Sequence, residues 1–416
     1  MIRLSYATVL LILLFGSACS DSWRTKEMGL EKRRMEAIEE SQRQEADRLE
    51  AIRIENERLR SKEEGSSTGA VAADSILRGT SQDPKLARIP GSPRGIRVFY
   101  ATDRDSTDSE QPSEYYGIDR GELVYGTAVV SIPPNHETGV IERPSIWFLE
   151  FHEDVDKHVV LVDVTEQDKD DFFASVREKI ATSPRSNVFI FVHGFNVTFE
   201  AAAHRTAQMT HDLDFHGAPI FYSWPSQGGT LPYVFDKNNI QWTQYHLENF
   251  LVDVTDRTES KNIYLIAHSM GAEALTRAFA NVVRDNPALR ERFREIILTA
   301  PDIDAEIFMT QIAPRMIAEN THITLYASAN DNALIASKAI NGLPRAGDAG
   351  AGLVIFDGIE TIDASNVETD LMGHSYFEES VLSDMFYIFR YGTRPDDRFL
   401  LRRQETSEGS YWKFRE

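Results

Sequence analysis

Hydrophobic positions along the 416-residue chain follow three regimes. Residues 9–15 form one unbroken apolar run. Over about 23–64 apolar residues thin to a seven-residue grid, with Met28, Met35 and Leu49 in one column and Ile38, Ile52 and Leu59 in the other. Gln42 and Asn56 fill the gaps of the first column, Glu31 and Glu45 those of the second. From Gly95 onward short continuous apolar runs begin, and those over 96–101, 121–132, 146–151 and 159–164 predict a β-rich opening. Strands over 188–192, 219–223, 263–267, 295–299, 322–327 and 353–356 then alternate with helices near 199–213, 241–257, 272–284, 306–317 and 376–391. Continuous apolar strands spaced by helices predict an α/β domain over 95–395, with a mostly parallel sheet covered on both faces. Residues 396–416 are left as a C-terminal tail, and no internal repeat is found.

The first 94 residues read as an export and tethering segment. One arginine, a short apolar core and the small residues Gly16, Ser17 and Ala18 make a secretory signal over 1–18, too short to span a bilayer as a stable helix. The only cysteine, Cys19, follows directly, and this junction resembles a bacterial lipoprotein box, in which the cysteine is lipidated and becomes the new N-terminus. The alternative is a plain signal peptide with an incidental cysteine. Lipidation predicts a protein tethered in the bacterial cell envelope, and Ser20 after the cysteine points to the outer membrane, facing the periplasm. Residues 19–64 form a helical stalk, either a short parallel coiled coil with a polar Asn56 at a core position, which offers a route to a homo-oligomer, or a solvated single helix. Gly65, Ser66 and Ser67 open a flexible linker over 65–94.

Charge narrows the partners. The net charge of −21 excludes a nucleic-acid footprint, and the stalk, nearly neutral with 11 Lys/Arg and 12 Asp/Glu over 24–64, leaves the acidity to the rest of the chain. A single cysteine also excludes a disulfide framework, a cysteine zinc site and an iron–sulfur cluster.

Candidate chemistry gathers where the strands end. In a parallel sheet with helices on both faces, active sites lie at the carboxyl ends of the strands. Here four runs end in His193-Gly194-Phe195-Asn196, Trp224-Pro225-Ser226, His268-Ser269-Met270-Gly271 and Ser328-Ala329-Asn330-Asp331. Ala267-His268-Ser269-Met270-Gly271 is a nucleophile elbow with Ala in the first glycine position; strand before and helix after make Ser269 the nucleophile. His193-Gly194 after an earlier strand marks the rest of an oxyanion hole, in which the N–H of Met270 and that of Phe195 or Asn196 meet the developing charge. The base must follow the serine in this chain order, and His322 begins its strand, far from the active edge, which leaves His374. Asp331 is the favoured acid, with Asp302 and Asp304 as competitors. His193, Tyr222 and Trp224 are the candidate lining of the substrate pocket. No metal or other cofactor is expected: His152, Asp154, Asp156 and His158 read as a solvated turn, and Asp302, Asp304 and Glu306 lack the glycine and distal glutamate of a calcium loop.

Phe99-Tyr-Ala-Thr-Asp-Arg104, Phe191-Val-His-Gly-Phe-Asn196, Tyr222-Ser-Trp-Pro-Ser226, Ala267-His-Ser-Met-Gly271 and Tyr326-Ala-Ser-Ala-Asn-Asp331, in this order, resemble the bacterial family of alpha/beta hydrolases of unknown function, within the esterase/lipase superfamily. The resemblance spans about 95–395 and implies the α/β-hydrolase fold and a triad of Ser269, Asp331 and His374. It supplies no substrate. The expected function is a serine hydrolase acting on a small-molecule or lipid-like carboxylic ester through an acyl-enzyme. The alternatives are an amidase or peptidase, or a catalytically silent, envelope-tethered binding module.

Overall fold

A computed structural model describes residues 95–144, 152–185, 187–227, 233–317, 321–350, 352–367 and 377–415. The signal sequence, Cys19, the stalk, the linker, the strand expected over 146–151 and His374 lie outside the described residues.

β1 (Gly95–Ser106), β2 (Tyr116–Ser131) and β3 (Val160–Gln167) form an antiparallel meander. After it come α1 (Lys169–Ala181), β4 (Asn187–Val192), α2 (Phe199–Asp212), β5 (Ala218–Ser223), α3 (Tyr233–Arg257), β6 (Asn262–His268), α4 (Gly271–Asp285), β7 (Phe293–Thr299) and β8 (His322–Ala327). The chain continues through α5 (Asn332–Asn341), β9 (Glu360–Asp363), α6 (Glu379–Tyr391), β10 (Leu401–Thr406) and β11 (Gly409–Phe414). All of these strands join one sheet, in the order β10-β11-β9-β8-β7-β6-β4-β5-β1-β2-β3, and every pair from β11 across to β1 is parallel. This is an α/β-hydrolase fold with a mostly parallel central sheet.

Both faces of the sheet are covered, which is why its strands are apolar without interruption. In β4, Val188, Ile190 and Val192 point into a core shared with Phe172 of α1, Leu247 of α3 and Leu275 of α4. The alternate residues Phe189 and Phe191 enter the opposite core, with Phe199 of α2 and Met385 of α6. Because β4 lies between β5 and β6, the chain leaves it to one side and returns on the other. The loops after β4 and β6 therefore flank a crevice at the carboxyl edge of the sheet.

Four expectations are corrected. Residues 353–356 are not a strand: Val354 is buried and its carbonyl accepts a hydrogen bond from the Thr361 hydroxyl (2.7 Å), while the ladder is made by β9. Residues 396–416 are not a free tail, since β11 pairs with β9 and buries Phe414. The connection 330–352, whose Gly/Ala-rich sequence with a lone Pro344 predicts a mobile flap, instead holds the ten-residue helix α5 and a loop pinned by Ser328 N–H to Gly347 O (2.9 Å) and Gly347 N–H to Pro301 O (3.0 Å). The helix expected near 306–317 is broken into Ala305–Ile307, a π-turn at Phe308–Ile312 and Ala313–Met316. Among the described residues no helix is long and apolar enough to cross a membrane.

Candidate active site

β6 delivers the chain to Ser269, and α4 begins two residues later. Ser269 has φ +51°, in the left-handed region where a side chain costs about 1–3 kcal/mol. Its neighbours hold it there. The Ser269 N–H donates to Thr299 O (2.9 Å), and its carbonyl accepts from Ala272 N–H (3.1 Å) and Asp302 N–H (3.1 Å). Gly271 is required by space: a β-carbon there would stand 2.2 Å from the His193 carbonyl oxygen, so only glycine lets α4 start against the end of β4. Left-handed, non-glycine backbone recurs at Asn196 after β4 and Ala300 after β7, so strain collects at neighbouring strand ends.

The loop after β4 crosses directly over the serine. A β-carbon on Gly194 would lie 2.9 Å from the Ser269 β-carbon and 2.8 Å from His268 Nδ1, so backbone takes the place of a side chain. Asp236, buried at the start of α3, ties this loop down: its carboxylate accepts from Ser226 Oγ (2.6 Å), Gln227 N–H (3.0 Å) and the Asn196 backbone N–H. The Asn196 N–H is thereby committed. Those of Phe195 and Met270 make no hydrogen bond among the described residues, so Phe195, not Asn196, keeps a donor to spare.

A buried arginine underlies the loop. Arg104, at the end of β1, donates through Nε to Ser223 Oγ (2.8 Å), through one terminal nitrogen to Gly117 O (2.8 Å) and Ser226 O (3.3 Å), and through the other to Val197 O (2.7 Å). Burial lowers it to about 10, still charged at neutral pH. His193 stands beside this cation: its Nδ1 is 2.9 Å from Gly194 O and its Nε2 accepts from Trp224 N–H (3.1 Å). Burial, then Arg104, push its pKa well below the usual value, so the ring is neutral. It stacks on the Trp224 indole, whose Nε1 donates to His193 O (2.7 Å).

These contacts correct the expected pocket lining. His193, Tyr222 and Trp224 have no exposed surface; Tyr222 packs in the core against Phe250, and the other two brace the loop from beneath. Arg104 closes the motif Phe99–Arg104 with no expected role in the sequence, and Asp236 belongs to no motif. The available signal for Arg104 was its place, directly after an apolar strand at the edge where the other candidates gather.

The two acids occupy different surroundings. Asp331 is buried after β8 and caps α5, its Oδ1 accepting from Leu334 N–H (2.8 Å). Asp302 is saturated: Oδ1 accepts from Arg345 Nε (2.6 Å) and Ser337 Oγ (2.6 Å), Oδ2 from Tyr233 OH (2.9 Å). Burial alone would raise its pKa, but Arg345, with Lys237 and the two hydroxyls, brings it below the ordinary carboxylate value. Asp304 caps the short helix after it through Ile307 N–H (2.9 Å). His322 starts β8, at the opposite edge of the sheet from Asp331. In the turn around 152–158, the Asp154 N–H donates to His158 Nδ1 (3.0 Å) and Asp156 N–H to Asp154 Oδ1 (3.0 Å). His374 lies outside the described residues; the described chain resumes three residues later at Phe377, whose buried ring meets the His268 ring edge-on at 5.9 Å.

A family model described as "Alpha/beta hydrolase of unknown function (DUF900)" matches residues 168–384, more than half of the chain. No curated protein matches. Among solved structures, a carboxylesterase from Bacillus subtilis is 9% identical over 74% of this chain and 95% of its own, with a TM-score of 0.30. A thermostable esterase from Pseudomonas putida is 11% identical over 71% of this chain and 81% of its own, with a TM-score of 0.28. Lipase B from Aspergillus fumigatus is 12% identical over 42% of this chain, which spans only 44% of that lipase, with a TM-score of 0.26.

Proposed function

The chain belongs to the family of alpha/beta hydrolases of unknown function, and from that premise we propose a serine hydrolase that cleaves carboxylic esters through Ser269, Asp331 and His374. The observation that carries the reading is Ser269 itself, a left-handed residue between strand and helix with the Gly194 backbone crossing beside it. Ser269 Oγ attacks the ester carbonyl carbon while His374 takes its proton. The oxyanion forms against the N–H groups of Met270 and Phe195, each such donor being worth about 10²–10³ in rate. The intermediate collapses to an acyl-enzyme as His374 protonates the departing alcohol. Water, deprotonated by His374, then releases the carboxylic acid. Asp331 fixes the tautomer and orientation of His374.

Asp331 rather than Asp302 takes this role because Asp302 already neutralises a buried guanidinium. His374 is supported by its place after Ser269 in the chain order, by the position of Phe377 against His268, and by the commitment of both ring nitrogens of His193. The enzyme is tethered through a lipid on Cys19, on the periplasmic face of the outer membrane, and its substrate is a small-molecule or lipid-like ester. The segment over 19–64 offers a route to a homo-oligomer.

A fluorophosphonate probe, which reacts only with an activated serine, tests the proposal. Wild type labels at Ser269 and Ser269→Ala does not. A folded wild type that resists the probe would leave a silent binding module as the function.

A further inference from the structure

We propose that His136, His211 and Asp212 form a binding site for a divalent transition-metal ion of the zinc class, clasping the loop after β2 to the end of α2. His136 lies in the turn that follows β2; His211 and Asp212 are the last two residues of α2. His136 Nε2 stands 2.9 Å from Asp212 Oδ1, and His211 Nδ1 stands 3.1 Å from the same oxygen. The three ligand atoms lie within 4.8 Å of one another. Tetrahedral zinc with bonds of about 2.0–2.2 Å places its ligand atoms roughly 3.3–3.5 Å apart, so small side-chain adjustments admit the ion.

The surroundings are those of a built site. His136 Nδ1 faces both oxygens of Glu142, at 3.0 and 2.9 Å, so a carboxylate orients the imidazole from behind, as carboxylates do for metal-bound histidines. Asp212 Oδ2 is occupied by Gly139 N–H (2.8 Å) and the Gln208 amide (2.5 Å), which leaves Oδ1 turned to the two rings. The rings of His136 and His211 meet edge-on, 5.0 Å between centroids. The side chains of His136 and Asp212 are 1% exposed and that of His211 29%, so the site is walled on two sides and open on the third, where the ion enters and water completes its coordination. The metal takes the position of the proton that otherwise bridges His136 Nε2 and Asp212 Oδ1. Two imidazoles and one carboxylate suit zinc better than magnesium or calcium, which prefer oxygen alone. The site is independent of the hydrolytic reading. Its effect is structural, because the clasped loop also touches the start of α6: a β-carbon on Gly139 would meet Glu379 N at 2.8 Å.

The test uses the full-length protein after chelation, with zinc alone as the probe. Calorimetric titration and elemental analysis are expected to give one zinc per chain at micromolar affinity or tighter. Saturation is expected to raise the melting temperature by about 2 °C or more. His211→Ala should weaken binding by at least about tenfold, and Glu142→Gln by about 10–100-fold through the orienting contact alone. Melting temperatures of the chelated variants report any folding defect separately from binding. Wild type that takes up zinc only at millimolar concentration, or variants that bind it as wild type does, would overturn the proposal and leave a metal-free network of hydrogen-bonded charges.

Discussion

Ser269 is held at a backbone angle that glycine adopts without strain. Ser269→Gly and Ser269→Ala should both abolish hydrolysis of a simple nitrophenyl ester, yet the glycine variant should be the more stable by about 1 kcal/mol. Equal denaturation midpoints would show that the strain is absent in solution. The acids separate in another way. Asp331→Asn should fold and lose roughly 10³–10⁴ in kcat, since an amide supports the wrong imidazole tautomer. Asp302→Asn should instead lower stability, by up to about 3–5 kcal/mol, because it leaves the Arg345 guanidinium buried without its counter-charge. A stable Asp302→Asn that is inactive would move the triad acid to Asp302. Ser269 was legible in the sequence because its cue is local: an apolar strand, small neighbours, then a helix. Arg104 was not, because the atoms it binds belong to Gly117, Val197, Ser223 and Ser226, which meet only when four segments of the chain converge. His193 misled for a related reason. Its position at a strand end was correct, but sequence gives no direction for the ring, and the ring turns inward onto Trp224.

Among the elements, strands buried on both faces could be read from their apolar runs, whereas the edge of the sheet could not. β9 has only Ile362 as an apolar residue, and β10, an outer strand, has only Leu401, followed by the charged Arg402, Arg403 and Glu405. An ion cluster gathers at the start of β9, through Glu360. Arg394 and Arg398 serve the three carboxylates of Glu295, Glu360 and Asp384. Two cations cannot neutralise three anions in a buried place. Burial, reinforced by Glu295 and only partly offset by the arginines, raises Glu360 from 4.5 to about 7. The folded protein therefore holds a proton that the unfolded chain has released. The stabilisation this gives is complete below pH 4.5 and disappears as pH rises through 7, by about 1–3 kcal/mol. Glu360→Gln should flatten the decline of stability between pH 4.5 and 7 in urea denaturation. An unchanged slope would assign that decline to other groups.

At the scale of the whole sequence, a lone cysteine and a nearly neutral segment over 24–64 precede an acidic α/β-hydrolase domain. If a lipid on Cys19 is its anchor, Cys19→Ser should be exported yet recovered in the soluble periplasmic fraction; a soluble wild type would refute lipidation. The folded domain carries the second consequence. Large caps over active sites of this fold are inserted between strands. Here the described residues of the connection from β7 to β8 hold only the short helical turns between Ala305 and Met316, and those of the connection from β8 to β9 hold α5 and a loop tied to Asp302 through Arg345. Neither has a core of its own. Among the described residues, the exposed apolar side chains here include Phe235 on α3, Ile335 and Ile340 on α5 and Leu343 just after it, the two helices being joined where Tyr233 OH meets Ser337 Oγ at 3.0 Å. Such a rim offers an acyl chain a shallow contact that is present without an oil–water interface to open it. Hydrolysis of acetate and butyrate esters should therefore follow simple saturation below the solubility limit of the substrate. Lengthening the acyl chain should improve kcat/KM by less than the roughly fourfold per methylene that full burial at about 0.8 kcal/mol provides. A rate that rises abruptly only once the ester forms a separate phase would mean that a lid closes over Ser269 in solution, and the open site would have to be abandoned.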